Sequence, residues 1–432
     1  VNNLLRVIQN APDCAEAYGN LGFLLAKRGK SEAAEVCYRR SIALNPALPE
    51  SHLNLGVLLA SQKLFNAARV AYLQAIALEP HSPIVWSNLG VLNACLKLEG
   101  EAEQCYRTAL SLDDCYAAAR FNLSYLLLRQ GRFEEGWFCL ESRNYLTPLS
   151  ADMTCPRWQG EALSGKSILI SHEAGQGDVI QFSRYAMVLK AKGAASVTLI
   201  CHPALKILFE EGLEGVDRIV SLDEVVDTAS QDFWTPLFSI PHYCKTRLDS
   251  IPASIPYLRL QPERIKKWAQ LIPDKGLRVG LVWKGNPKFE NDADRSLASL
   301  EVLAPLWKVD ETHFISLQKG AGEEEAMHPP GGLPLINLGS QLTDFVDTAA
   351  IIAGLDLVIC VDTAVAHLTG ALGKPCWVLL PDFKTDWRWL TDRIDSPWYP
   401  GVMRLFRQSP AGNWTTVVTE VAAALENLAS GH

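Results

Sequence analysis

Several things are missing from this 432-residue chain, and each absence removes a class of function. No lysine- or arginine-rich run occurs and the formal net charge is −8, which argues against a nucleic-acid partner or an anionic membrane surface. No apolar stretch approaches the ~18 residues needed to cross a bilayer, and no secretory leader is legible. The eleven cysteines are scattered, without a C-x-x-C pair. Such a pattern reads as reduced thiols in a cytoplasm-like compartment and offers no zinc-ligand set. What is present is ordinary globular material. Hydrophobic residues make up 48% of the chain, enough for full cores, and the length predicts two or three domains.

The first 145 residues are periodic. Asparagine recurs every 34 residues, at Asn20, Asn54, Asn88 and Asn122, each followed by Leu21, Leu55, Leu89 or Leu123 and then by Gly22, Gly56, Gly90 or Ser124. Ala34, Ala68 and Ala102 each stand four residues before Tyr38, Tyr72 and Tyr106, on one helical face. Pro46 and Pro80 end the second helix of their repeats, and Asp114 takes that place in the third. This is the tetratricopeptide period, so residues 1–145 are expected to form an α-helical superhelix of a partial repeat plus four repeats. Leu4, Val7 and Pro12 fit the second half of an earlier repeat. The fourth repeat is degenerate, with Gly136 and Leu140 in the alanine and tyrosine places, and Trp137 and Phe138 are expected to face a second domain.

Each ladder asparagine precedes the core leucine and is therefore rotated about 100° from the buried face. Neighbouring helices pack ~8–10 Å apart and an extended peptide rises ~3.3 Å per residue, so one amide can serve about every third residue. Asparagine carries both a donor and an acceptor, matching one peptide unit. The expectation is a groove that grips an extended peptide by its backbone. The plainer alternative is that each amide bonds its own scaffold.

The composition changes after Leu149. Short β-rich runs alternate with helical patterns: Ser167–Ile170 as strand, Val179–Ala191 as helix, Ser196–Ile200 as strand. A second series runs through Arg278–Trp283, Phe314–Leu317, Leu357–Cys360 and Cys376–Leu380, after a helical linker over Pro262–Lys275. These are βαβ units, and they predict two Rossmann-like lobes with parallel sheets, at 150–268 and 275–432. The turn Gly175-Gln176-Gly177-Asp178 follows the first strand; its glycines permit close approach of a ligand, although Asp178 also suits a helix cap. In Asp362-Thr363-Ala364, a polar turn opens a helix that carries His367, where backbone amides favour an anion. A lone histidine in a helix is more often structural. Trp387, Trp389 and Trp398 read as core, with sugar stacking as the alternative.

Two resemblances connect these pieces. The asparagine column resembles that of the O-linked N-acetylglucosamine transferases. Asp362 to Pro375 looks like the donor-site signature of the heptosyltransferase-like glycosyltransferases of GT-B fold. Gly175, Gly177 and Asp178 match their acceptor-lobe loop, where the aspartate is the general base. Trp283-Lys-Gly-Asn286 with Arg295-Ser296 is similar to their phosphate-binding loop, and Ser316-Leu-Gln318-Lys319 to the next one. Asp395 to Pro400 and Leu405 to Gln408 recur in bacterial proteins that join such repeats to this domain, some of them implicated in flagellin modification. The resemblance implies transfer of a sugar from a nucleotide sugar to a protein hydroxyl. Asp178 would be the base. Trp283, Asn286, Arg295, Ser296, Gln318, Asp362, Thr363, Ala364 and His367 would bind the donor, with Arg295 as phosphate clamp and Gln318 near the base or ribose. The repeats would recruit the protein acceptor, flagellin among the candidates. No D-x-D stands where a metal-dependent GT-A enzyme would need it, so no metal and no cofactor beyond the nucleotide-sugar co-substrate are expected. Alternatives are a saccharide-directed transferase with the repeats as scaffold, and a catalytically silent peptide-binding adaptor.

Overall fold

A computed structural model describes residues 1–145, 153–410 and 412–430. The composition shift at Leu149 lies outside the described residues. The chain divides into two compact units, and the division differs from the boundary expected at residue 145. One unit holds Val1–Leu127 and the short stretch beginning at Phe138. The other holds Leu128–Trp137 and the described chain from Met153 onward.

The first unit is built of paired helices. The first helices of the repeats, Ala15–Ala26, Pro49–Ser61, Pro83–Cys95 and Ala117–Arg129, begin 34 residues apart, and Ser31–Leu44, Phe65–Leu78 and Glu99–Leu112 alternate with them. Pro49 and Pro83 open their helices at a position whose N–H has no intrahelical partner. The repeated glycine has a steric cause. A Cβ on Gly22, Gly56 or Gly90 would lie 2.8, 2.6 and 2.6 Å from the rings of Tyr38, Tyr72 and Tyr106. Each tyrosine ring therefore lies directly on glycine backbone, beside an alanine that is wholly buried (Ala34, Ala68, Ala102). Close packing of this kind leaves no room for one methyl group.

The second unit contains two parallel sheets. In the first lobe, β1 (Ser167–Ser171), β2 (Ser196–Cys201), β3 (Arg218–Ser221) and β4 (Phe233–Pro236) take the order β3-β2-β1-β4. In the second lobe, β5 (Leu277–Val282), β6 (Thr312–Ser316), β7 (Leu335–Asn337), β8 (Leu357–Val361), β9 (Cys376–Leu380) and β10 (Met403–Arg407) take the order β10-β9-β8-β5-β6-β7. Every neighbouring pair is parallel. These are the two Rossmann-like lobes expected from the βαβ pattern. In such sheets the order reverses at one point, and ligands lie outside the carboxyl ends of the strands there. Those points fall between β1 and β4 and between β5 and β8.

The helix expected over Val179–Ala191 is broken into Gln176–Phe182 and Tyr185–Ala191. Arg184 sits at the break, buried, donating to Trp398 O (2.5 Å), Pro252 O (3.2 Å) and Tyr257 Oη (3.1 Å). A charge in that position needs this full set of partners.

The unit boundary has an equally local cause. Trp137 is buried, its Nε1 donates to Thr246 O at 3.0 Å, and its ring meets Phe133, Phe182, Trp387 and Trp398 at centroid distances of 5.4 to 6.5 Å. Residues Leu128–Trp137 of the degenerate repeat thus belong to the sheet-containing unit, whereas Phe138 is 57% exposed. Trp137→Ala should lower the unfolding free energy of that unit by about 3–5 kcal/mol, read from denaturant titration of the full chain.

Candidate functional site

The site grows from the loop after β1. Gly175 caps the helix Gln176–Phe182 with extended backbone, and Asp178, in its first turn, reaches back so that Oδ2 accepts from Gly175 N at 2.8 Å. The cap expected of Asp178 is therefore present. Gly177 is required by contact: a Cβ there would stand 2.9 Å from His367 Cδ2 and 3.2 Å from Ala364 Cα. The first turn of this helix thus touches the first turn of the helix Ala364–Ala371, which follows β8 in the other lobe.

On the second-lobe side, Thr363 caps the helix with extended backbone, and its buried Oγ1 has no hydrogen-bond partner among the described residues. His367 is 2% exposed. Its Nδ1 lies 3.0 Å from Tyr399 Oη, its Nε2 lies 3.5 Å from Arg388 Nη1, and its ring stacks on Trp389 at 5.4 Å. Burial, then the charges of Arg388 and Arg184, hold its pKa well below the ordinary value, so the ring is neutral. Facing an arginine N–H, Nε2 is placed to accept, which would leave the proton on Nδ1 toward Tyr399. Both ring nitrogens face protein groups in this structure.

Arg388 belongs to none of the expected motifs. It lies in the short turn Trp387–Trp389 after β9, capped by Asp386, whose carboxylate accepts from Arg388 N at 2.9 Å. The residue is 8% exposed. Its Nη2 donates to Asp178 Oδ1 at 2.5 Å and its Nε stands 3.1 Å from Asp386 Oδ1. Burial opposes its charge, yet Asp178, Asp386 and Asp362 together hold its proton on more firmly than usual. Burial pushes the Asp386 carboxyl up to about 6 against the pull of Arg388. Asp362, just past β8, is also raised by burial, with Arg388, Trp389 and Arg295 pulling the other way. The centre is therefore three carboxylates around one arginine. Its sequence signal is an arginine between two tryptophans. The reading of Trp387, Trp389 and Trp398 as core is right, since all three are buried, but that reading does not single out the residue between the first two.

The loop after β5 sorts differently from expectation. Trp283 is wholly buried in the second-lobe core. Gln318 is 1% exposed; its Oε1 accepts from Trp283 N (2.9 Å) and Lys284 N (3.0 Å), and its Nε2 donates to Lys284 O (3.0 Å) and Ala321 O (2.7 Å). Its amide ties two loops together and has nothing left for a base or ribose. Ser296 Oγ accepts from Gly285 N (2.8 Å) and donates to Asp292 Oδ1 (2.9 Å). Asn286 is exposed, with Oδ1 accepting from Lys288 N in a local turn. Arg295 pairs with Asp292 (Nε to Oδ1, 3.1 Å) and lies over the Phe289 ring at 4.3 Å, while its charge reaches Asp362. Of the nine expected donor residues, Arg295, Asp362, Thr363 and Ala364 stand around the centre, His367 borders it at Arg388, Trp283 and Gln318 are buried props, Ser296 is a half-buried one, and Asn286 is exposed.

In the repeat unit, the four asparagines take matching positions on successive first helices. Asn20 is exposed and the others are half-buried. Asn88 Nδ2 donates to Ile84 O at 2.9 Å within its own helix. The other three make no hydrogen bond among the described residues.

Comparison with known proteins separates the same two parts. Tetratricopeptide repeat patterns match residues 15–48 and 49–82, and the glycosyltransferase family 9 (heptosyltransferase) pattern matches residues 311–379, from the start of β6 through β9. Protein FlbA of Caulobacter vibrioides is 28% identical over 362 residues, 74% of this chain. The chain spans 59% of that relative's length. Among solved structures, a glycosyl transferase family 9 protein from Veillonella parvula is similar to 63% of this chain and 99% of its own (13% identity, TM-score 0.48). The tetratricopeptide protein YrrB is similar to 34% of this chain and 77% of its own (19% identity, TM-score 0.30). No helix among the described residues is long and apolar enough to cross a membrane. The chain thus joins helical repeats that match the tetratricopeptide pattern to a parallel-sheet unit in which residues 311–379 match the glycosyltransferase family 9 pattern.

Proposed function

We propose that this protein transfers a sugar from a nucleotide-sugar donor to a hydroxyl of a protein acceptor recruited by the repeats. The observation that carries the reading is the contact at Gly177, which brings the carboxylate of Asp178 beside the Asp362–Ala364 turn of the other lobe. In that reading the acceptor oxygen attacks the anomeric carbon, its proton passes to Asp178, and the nucleotide leaves with the bonding electrons. The helix opening at Ala364 presents free amides and a positive dipole end to the phosphate, with the Thr363 hydroxyl and the Arg295 guanidinium beside it. The step as written calls on no metal. Mass spectrometry of a co-expressed flagellin, with a panel of nucleotide sugars, should find the acceptor heavier by one or more sugars. Asp178→Asn should lower kcat by about 10²- to 10⁴-fold without loss of donor affinity. An acceptor unmodified with every donor would defeat the reading.

The amide column supports recruitment of a protein because three of its four members are uncommitted among the described residues. One observation favours the alternative of a saccharide acceptor with the repeats as scaffold: Asn88 is already bonded to its own helix. Alanine at all four positions separates the two. Protein-directed turnover should fall while donor hydrolysis stays unchanged; equal rates of both, before and after, would favour the scaffold.

A further inference from the structure

Asp178 is held by contacts from both lobes of the second unit. Both of its oxygens are engaged, Oδ2 by Gly175 N and Oδ1 by Arg388 Nη2. Arg388 comes from the other lobe and is surrounded by more negative charge than it neutralises: Asp178, Asp386 and Asp362 face it, and His367, neutral, borders its second terminal nitrogen. Arg295 faces Asp362 from the β5 loop, Arg184 adds its field at His367, and His172 faces Asp178 from the β1 loop. Trp387 and Trp389 fix the turn from which Arg388 projects, the first with the guanidinium over its ring at 5.2 Å and both buried.

We propose that Arg388 is a gate on the catalytic base: it holds Asp178 in the donor-free protein, and turns to the phosphate of an arriving nucleotide sugar, releasing Asp178 to take the acceptor proton. This rests on the transfer reading above and adds an order to it, donor before acceptor. The geometry suits the exchange. His367 Nε2 and the Asp386 carboxylate hold the guanidinium from two sides, so only the Asp178 contact has to break. A phosphate at the start of the Ala364–Ala371 helix would approach the residue next to Gly177, which is already against Ala364. The arginine keeps one anionic partner throughout, so its charge is never left buried alone, a state that is strongly disfavoured.

The test is nucleotide binding to four forms of the full chain: wild type, Asp178→Asn, Arg388→Met and the double variant. The probes are UDP, ADP, GDP, CMP and inorganic pyrophosphate, titrated by calorimetry. If Asp178 competes with phosphate for Arg388, Asp178→Asn should bind the preferred nucleotide about tenfold more tightly than wild type. Arg388→Met should bind it about tenfold more weakly, and in that background Asp178→Asn should change affinity by less than about twofold. Arg388→Lys, which keeps the charge, covers the case in which the methionine variant does not fold, and should show a reduced but nonzero gain from Asp178→Asn. A folded Asp178→Asn protein that binds nucleotide no better than wild type would overturn the gate and leave the transfer reading standing. Equal tightening with and without Arg388 would also overturn it, because simple repulsion between Asp178 and phosphate would then suffice. Binding of no probe to any form would overturn both.

Discussion

The arrangement of the sheet-containing unit depends on one close approach, the first turn of the Gln176–Phe182 helix against the first turn of the Ala364–Ala371 helix. Only a glycine at position 177 permits it, since a methyl group would overlap the His367 ring and the Ala364 backbone. Two parallel sheets each deliver a helix N-terminus to the same place, so backbone amides and the dipoles of both helices concentrate positive potential there. Acidic side chains answer it: Asp178, Asp362 and Asp386 lie within the field of one guanidinium. Burial raises the pKa of Asp362 and Asp386 and lowers that of His367.

Elements with strong local signals are legible in the amino-acid sequence alone. The 34-residue period places the repeat helices, and the switch from helical to β-rich patterning places β1, β2, β5, β6, β8 and β9. The strands without a legible signal are β3, β4, β7 and β10. Three of these have three or four residues, and each of the four lies at or next to a sheet edge, where the apolar run is short and the pattern weak. The loop residues after β1 and β8 are legible because a strand, a small polar turn and a helix follow in order, and such turns mark the carboxyl edge of a parallel sheet.

Long-range pairing is not legible in this way. Arg388 meets Asp178 across 210 residues, and no local period announces such a pair. The sequence places His367 near the site but not with its partners, because it does not show that Tyr399 and Arg388 occupy the two ring nitrogens. Gln318 matches a motif, yet its environment is backbone on every side. The unit boundary shifts for the same reason. Residues 128–137 continue the repeat pattern in sequence, but Trp137 finds its aromatic neighbours at Phe182, Trp387 and Trp398. In the repeats, by contrast, each tyrosine's glycine lies 16 residues away along the chain, and the local pattern suffices.

If a nucleotide sugar lies at the Asp362–Ala364 turn beside Asp178, photoaffinity labelling with azido-nucleoside diphosphates, followed by peptide mapping, addresses it most directly. Saturable labelling of peptides from the loops after β5 and β8, competed by unmodified nucleotide, is the expected outcome. Saturable labelling confined to other parts of the chain, or none with any nucleotide, would contradict that placement.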